Sequence, residues 1–220
     1  MIGVLIPAHD EEMLIGRCLE SVAVAARHRG LGGEPVLVVV ALDRCRDGTA
    51  RVAAAYGVHT MALRHGNVGC ARHLAAQSAI AHGARWLACT DADSTVPPDW
   101  LCGQLACGAD VFCGMVRVDD WQAYPAWVAD HYRSLHPCRD GHPHVHGANL
   151  GLDAAWYARC GGFPALPAHE DVSLVQALEV AGARIARRAA PVVTTSARPC
   201  ARAPDGFAGY LRRVAGGEAS

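Results

Sequence analysis

The chain has 220 residues, with 20 Lys and Arg against 21 Asp and Glu and a formal net charge of −1. That balance excludes the strong field on which nucleic-acid or anionic-membrane binding draws. Hydrophobic residues at 51% and charged residues at 19% exclude a disordered chain. A chain of this length is one domain by default and can bury about 70% of its unfolded surface, so residues 1–220 read as a single unit.

The first half alternates strand and helix. Gly3–Ile6 is continuously apolar, as a strand buried on both faces is. Asp10-Glu11-Glu12 places acids where a helix begins, and that helix runs to Arg27 with Leu14, Cys18, Val22 and Ala25 inward. Val36–Leu42 is the second strand, and Asp47-Gly48-Thr49 opens the next helix. Val58–Leu63 is a third strand, His65-Gly66-Asn67 a turn, Val68–His82 a helix and Trp86–Thr90 a fourth strand. This alternation predicts an α/β fold, a mostly parallel central sheet with helices on both faces.

The second half is less regular. Val111–Val118 reads as a strand, Trp121–Leu135 as a helix and His136–His146 as a loop. Asp153–Cys160 and Glu170–Ala181 are expected helices, the latter with Val172, Val175 and Leu178 inward. Arg184–Thr195 reads as one or two short strands broken at Pro191, and Phe207–Val214 as a terminal helix.

The 10 cysteines include no C-x-x-C pair, and several sit in apolar runs such as Leu87-Ala88-Cys89. They read as free buried thiols in a reduced, cytoplasmic setting. The N-terminus meets acids by Glu11, unlike a signal peptide, and the best apolar run, Val36–Leu42, falls far short of the roughly 20 residues of a transmembrane span.

In open α/β sheets, ligands bind beyond the carboxyl ends of the strands. Three acidic segments fall there: Pro7–Glu12, Asp43–Thr49 and Asp91–Ser94. In Asp91-Ala92-Asp93, two carboxylates spaced i, i+2 at a strand end can reach one hard cation, Mn²⁺ or Mg²⁺, which can bridge to a diphosphate. An acidic turn capping the next helix is the alternative reading. Asp43 can accept hydrogen bonds from a base or ribose, and Asp47 fits a helix cap. The arginines Arg184, Arg187 and Arg188, and later Arg198, Arg202, Arg212 and Arg213, form either a solvated basic face or a phosphate contact.

Several short segments together resemble the family 2 glycosyltransferases of GT-A fold, as a small, soluble, bacterial-type member. They are Ile6–Glu12, Asp43 with Asp47-Gly48-Thr49, Gly69-Cys70-Ala71-Arg72, Asp91-Ala92-Asp93, Gly147-Ala148-Asn149-Leu150, Gly161-Gly162-Phe163 and His169-Glu170-Asp171. The resemblance covers roughly residues 3–180. It implies a nucleotide-binding half over about residues 1–95 and an acceptor half over about 96–220. Pro7, Glu11, Asp43, Arg72, Asp91 and Ala92 would contact the donor, with Arg72 reaching the base or a phosphate. Asp93, helped by Asp91, would hold the metal. Asp171 would be the general base. Gly147, Ala148, Asn149, His169, Glu170 and Trp121 would border the donor sugar and the acceptor, a small-molecule or lipid-linked hydroxyl.

The implied reaction is a hexosyl transfer from a nucleotide-diphosphate sugar, with inversion favoured because one base suits one displacement. Arg44 stands where the family often has a second acid, and no Q-x-x-R-W segment or membrane helix indicates a polymer synthase. Two other readings compete: a nucleotide-sugar-binding module without activity, and a nucleotidyltransferase, which would need a glycine-rich basic loop where Pro7–Glu12 is acidic. His142, His144 and His146 alternate and would face one side of an extended segment, which also admits a zinc site.

Overall fold

The computed structural model describes residues 1–121, 124–166, 168–197, 209, 211 and 214–216. Among the described residues, seven strands make one sheet: β1 Ile2–Ala8, β2 Val36–Asp43, β3 His59–Leu63, β4 Trp86–Cys89, β5 Val111–Val118, β6 Leu150–Asp153 and β7 Ile185–Thr195. Helices α1 Ile15–Ala26, α2 Thr49–Ala55, α3 Val68–Ala81, α4 Trp100–Ala106, α5 Ala126–Leu135, α6 Ala154–Arg159 and α7 Glu170–Val180 join them. The strand order is β3-β2-β1-β4-β6-β5-β7. β1 pairs in parallel with β2 and β4, and β2 with β3. β6 alone runs antiparallel, between β4 and β5.

The sheet is covered on both faces, which is why β1 and β4 are continuously apolar. One face packs α1 residues Ile15, Cys18, Leu19 and Val22 and α4 residues Trp100 and Leu101 against Val4, Ile6 and Val40. The other packs α3 residues Ala71, Ala75, Ala76 and Ala79 and α7 residues Leu174, Val175 and Leu178 against Leu5, Val39 and Leu87. Small residues line α3 because it lies close on β1; a Cβ at Gly3 would come within 2.6 Å of Ala79 Cβ. The nine described cysteines are free, and burial pushes the Cys89 and Cys113 thiols up to about 12, which leaves them inert.

Five expectations need correction. α1 begins at Ile15, past the acids at 10–12, and Leu14 stands at its N-cap while Ile15 takes the inward face. Arg184–Thr195 holds one strand, not a broken pair; the β5–β7 register shifts between Gly114 and Val116 and absorbs Pro191, which has no N–H to give. β6 follows the Gly147–Asn149 turn, between the loop read over His136–His146 and the helix read from Asp153, where no strand was expected. α5 begins at Ala126, after Pro125, rather than at Trp121. The inward face of α7 carries Leu174, not Val172, which is only half-buried. Most of the helix read over Phe207–Val214 lies outside the described residues, as do Arg198, Arg202, Arg212 and Arg213. Leu211 and Val214 pack with Val118, Val128 and Tyr132 in a third, smaller cluster. Among the described residues, no helix is long and apolar enough to cross a membrane.

Candidate active site

The strand ends β1, β2 and β4 open onto one edge, and the backbone there departs from ordinary geometry. Asp10 (φ 53), Arg44 (φ 56) and His169 (φ 62) are the non-glycine residues with positive φ among those described, and all three lie at this edge or at the start of α7. Such conformations cost of order 1–3 kcal/mol and gather at functional sites. Asp10 uses its turn to accept hydrogen bonds from the N–H groups of Arg46 (2.6 Å) and Asp47 (3.3 Å), tying the β1 loop to the β2 loop. Asp47 accepts from Thr49 N–H at 2.9 Å in a turn just before α2, whose N-cap position is taken by Gly48 and not by Asp47 as expected. Burial opposes its charge, yet the Thr49 hydroxyl and the Glu12 and Thr49 N–H groups hold its carboxyl below the usual range. Glu11 is buried, and its N–H donates to Thr49 Oγ1. Pro7 is half-buried, one residue before the end of β1.

Asp43 is 5% exposed. Its Oδ1 accepts from His65 N–H (2.7 Å) and its Oδ2 from Asn67 N–H (2.8 Å), so it fixes the β3–α3 turn. Each oxygen keeps a second lone pair. His9, which sequence reasoning passed over, has Nδ1 2.6 Å from the Asp43 carbonyl oxygen.

Asp91 and Asp93 follow β4 and stay partly exposed, while Ala92 between them turns into the core at 4% exposure. The alternation sends both carboxylates outward and removes Ala92's side chain from the donor-facing set. The turn is held from the α1 side as well. Cys18 Sγ donates to the Asp91 carbonyl at 3.3 Å, and Val96 N–H donates to Ser21 Oγ at 3.1 Å.

Arg72 differs most from expectation. It is 4% exposed and does not extend toward a base or phosphate. Nη2 donates to Asp91 Oδ1 at 2.5 Å and Nη1 donates to Glu170 Oε1, while the guanidinium lies 5.9 Å from the Phe163 ring centroid. Burial alone would disfavour the charge; Asp91, Glu170 and Asp171 outweigh it and raise the pKa, so the guanidinium stays protonated. Burial pushes the Glu170 carboxyl up, against the pull of Arg72. The bridge needs glycines beside it. A Cβ on Gly147 would sit 2.5 Å from Arg72 Cζ, and one on Gly69 would sit 2.2 Å from the Pro164 carbonyl oxygen.

Asp171, in the first turn of α7, accepts from Gly147 N–H at 2.6 Å and from Val172 N–H at 2.8 Å. Buried Arg72 thus joins the acids after β4 to the helix start that carries Asp171. Ala148 and Asn149 are buried beneath this point. The Asn149 amide is spent inside the fold: Nδ2 donates to Met115 O (2.9 Å) and Pro191 O (2.8 Å), and Oδ1 accepts from Trp100 Nε1 (2.9 Å). It braces the turn and does not face a sugar. Glu170 and Trp121 are likewise engaged, Glu170 by Arg72 and Trp121 by its Nε1–H bond to Val118 O (2.9 Å).

The histidines do share one side, as stacked rings. Centroids lie 4.2 Å apart for Tyr132 and His136, 4.5 Å for His136 and His144, and 5.9 Å for both His144–His146 and His142–His144. Stacking keeps the nitrogens from converging, and the zinc reading fails: among the described residues no group of three or more His, Cys, Asp or Glu is placed to hold a metal ion. Among the described residues of the basic face, Arg184 pairs with Asp110 and Arg188 with Asp140, and Arg187 donates to Pro143 O.

Burial lowers the pKa of His136 and His144, and that of His146 from 6.5 to about 3. A folded-state pKa below the unfolded one means that the unfolded chain takes up protons first. The stability contributed is therefore whole above about pH 6.5 and is lost as pH falls toward about 3. The thermal midpoint is expected to drop steadily from pH 6.5 to about 4. His146→Gln should flatten that slope; an unchanged slope would mean that the stack does not set acid stability.

The strand order, the lone antiparallel β6 and the acids at the carboxyl edge define a GT-A α/β domain. The model of glycosyl transferase family 2 matches residues 3–156, and the chain belongs to that family. No sequence among curated proteins matches it. The structure is similar to that of Staphylococcus aureus TarS residues 1–349 in complex with UDP-GlcNAc, at 16% identity and TM-score 0.71 over 99% of this chain and 66% of that one. It is also similar to the Pyrobaculum calidifontis mannosyltransferase PcManGT in complex with GDP-Man and Mn²⁺, at 18% identity and TM-score 0.68 over 97% of this chain and 61% of that one. The chain therefore spans two thirds or less of these neighbours' lengths.

Proposed function

We propose that the chain transfers a sugar from a nucleotide-diphosphate sugar to an acceptor hydroxyl. One observation carries the reading most: buried Arg72 joins the two outward acids after β4 to the helix start bearing Asp171. A donor laid along the β1, β2 and β4 ends would meet Asp43 with its base. Residues 1–95 then form the donor half and 96–220 the acceptor half. Neighbours of the same fold carry UDP-GlcNAc, or GDP-Man with Mn²⁺, which supports a nucleotide-sugar donor.

The donor set suits a hard cation such as Mn²⁺ or Mg²⁺. Two partly exposed carboxylates, Asp91 and Asp93, supply oxygen ligands, and the shell would be completed by diphosphate oxygens and water. Asp93 is the principal ligand in this reading, because Arg72 engages Asp91 Oδ1. A cation held there supplies neutralisation of the charge on the leaving diphosphate. Asp171 accepts the acceptor hydroxyl proton as the oxygen attacks the anomeric carbon and the bond to diphosphate oxygen breaks, with inversion. Gly147 N–H fixes the orientation of that carboxylate. The acceptor is a small-molecule or lipid-linked hydroxyl, met near Trp121, His169 and the 147–149 turn in a cytoplasmic setting.

Release of nucleoside diphosphate from UDP-, GDP-, CDP- and dTDP-sugars with Mn²⁺, across acceptor panels, tests the reading. Turnover of one donor class is expected. Tight binding of a donor with no turnover on any acceptor would favour a nucleotide-sugar-binding module instead.

A further inference from the structure

We propose that Thr195, at the end of β7, is a positioning residue for Asp93, acting through Ser94 to set the affinity of the Asp91–Asp93 turn for its cation. The proposal rests on the reading of Asp93 as the cation ligand.

The last residues of β7 clamp the segment that follows Asp93. Thr95 N–H donates to Thr194 O at 2.8 Å, and Thr194 N–H donates back to Thr95 O at 3.0 Å. Two reciprocal bonds between residues this far apart in sequence fix the spacing of the two segments. β7 is itself anchored, with Arg117 and Val118 of β5 pairing with Thr194 and Thr195. Ser94 is fully buried inside the clamp, and its N–H donates to Asp91 O at 3.0 Å.

The side chains extend this into the metal turn. Ser94 Oγ lies 3.0 Å from Thr195 Oγ1 and 3.4 Å from Asp93 Oδ1. A serine hydroxyl has one hydrogen, and an ionised carboxylate can only accept. The Ser94 hydroxyl has two acceptors in reach, Thr195 Oγ1 and Asp93 Oδ1, and it serves the carboxylate when the Thr195 hydroxyl donates to Ser94 Oγ instead. Without Thr195, buried Ser94 would lack a donor and its hydrogen would be free to turn from Asp93. Outer-shell partners of this kind fix the orientation of a ligating carboxylate, and their loss commonly costs 10–100-fold in metal affinity. α1 holds the same turn from its other side, through the Asp91 carbonyl and the Val96 N–H. The β7 hydroxyl leads, through Ser94, toward Asp93 Oδ1.

The test is Mn²⁺ binding followed by electron paramagnetic resonance, with UDP and separately GDP present, on wild type, Thr195→Val, Thr195→Ser, Ser94→Ala and Asp93→Asn. Thr195→Val keeps the shape and removes the hydroxyl. It is expected to weaken Mn²⁺ binding about 10-fold while leaving the metal-free thermal midpoint near wild type. Thr195→Ser should restore binding, which a merely structural role for the strand end does not predict. Ser94→Ala should reproduce the loss. Wild-type affinity in both Thr195→Val and Ser94→Ala, with binding abolished in Asp93→Asn, would overturn the proposal alone. Wild-type affinity in Asp93→Asn would overturn the cation reading and the proposal with it.

Discussion

Arg72→Met is expected to destabilise the fold by about 3–5 kcal/mol, the effect of stranding buried charge when one partner of an ion pair is removed. Arg72 and Glu170 are both buried, and Arg72 also holds Asp91. The methionine fills the volume but leaves the buried Glu170 carboxylate without its guanidinium partner. Adding Glu170→Gln removes that charge, so the double variant should recover part of the loss in urea denaturation, measured as a coupling energy. Arg72→Lys should rescue little, because one ammonium cannot form the two-pronged bridge from Nη1 to Glu170 and from Nη2 to Asp91. Additive losses in the double variant would show that the Arg72–Glu170 pair is not a unit.

Asp171→Asn is expected to lower turnover by about 10²–10⁴-fold, the usual span for a general base. Asparagine keeps one carbonyl oxygen for Gly147 N–H, the bond made at 2.6 Å by Asp171, and gives up only the bond from Val172 N–H in the first turn of α7, so the 147–149 turn should stay in place. Loss is therefore expected in kcat, with donor KM and thermal midpoint near wild type. A variant that keeps turnover would move the base elsewhere. One that loses donor binding instead would make Asp171 a binding residue.

The parallel half of the fold was legible chiefly because β1, β4 and the second half of β2 are buried and read as continuous apolar runs, whereas β3, at the sheet edge, is largely exposed. β6 was not: four residues including Gly151 carry too little pattern, and the strand exists because β4 and β5 flank it. Pro191 obscured β7, since a proline argues for a break unless the partner strand offers an irregularity, as β5 does beside Gly114. At the site, the acids at strand ends followed from the fold rule. The partner of Arg72 did not, because a helical arginine's direction depends on what packs over it. Gly69 and Gly147, which leave room for the bridge, were the available signal. Asn149 was assigned to the sugar side by its motif, although Trp100, Met115 and Pro191 take its amide. The contact of Thr195 with Ser94 was not legible, since it spans 101 residues.

Thermal stabilisation by UDP, GDP, CDP and dTDP, each with and without Mn²⁺, tests most directly whether the Asp91–Asp93 edge is a metal-dependent nucleotide site. A ligand at 100 times its dissociation constant adds about 2.7 kcal/mol. One nucleotide is expected to raise the midpoint only with Mn²⁺ present, and Asp93→Ala should abolish that rise. Stabilisation that is indifferent to Mn²⁺ and survives in Asp93→Ala, or no stabilisation by any nucleotide, would contradict the account.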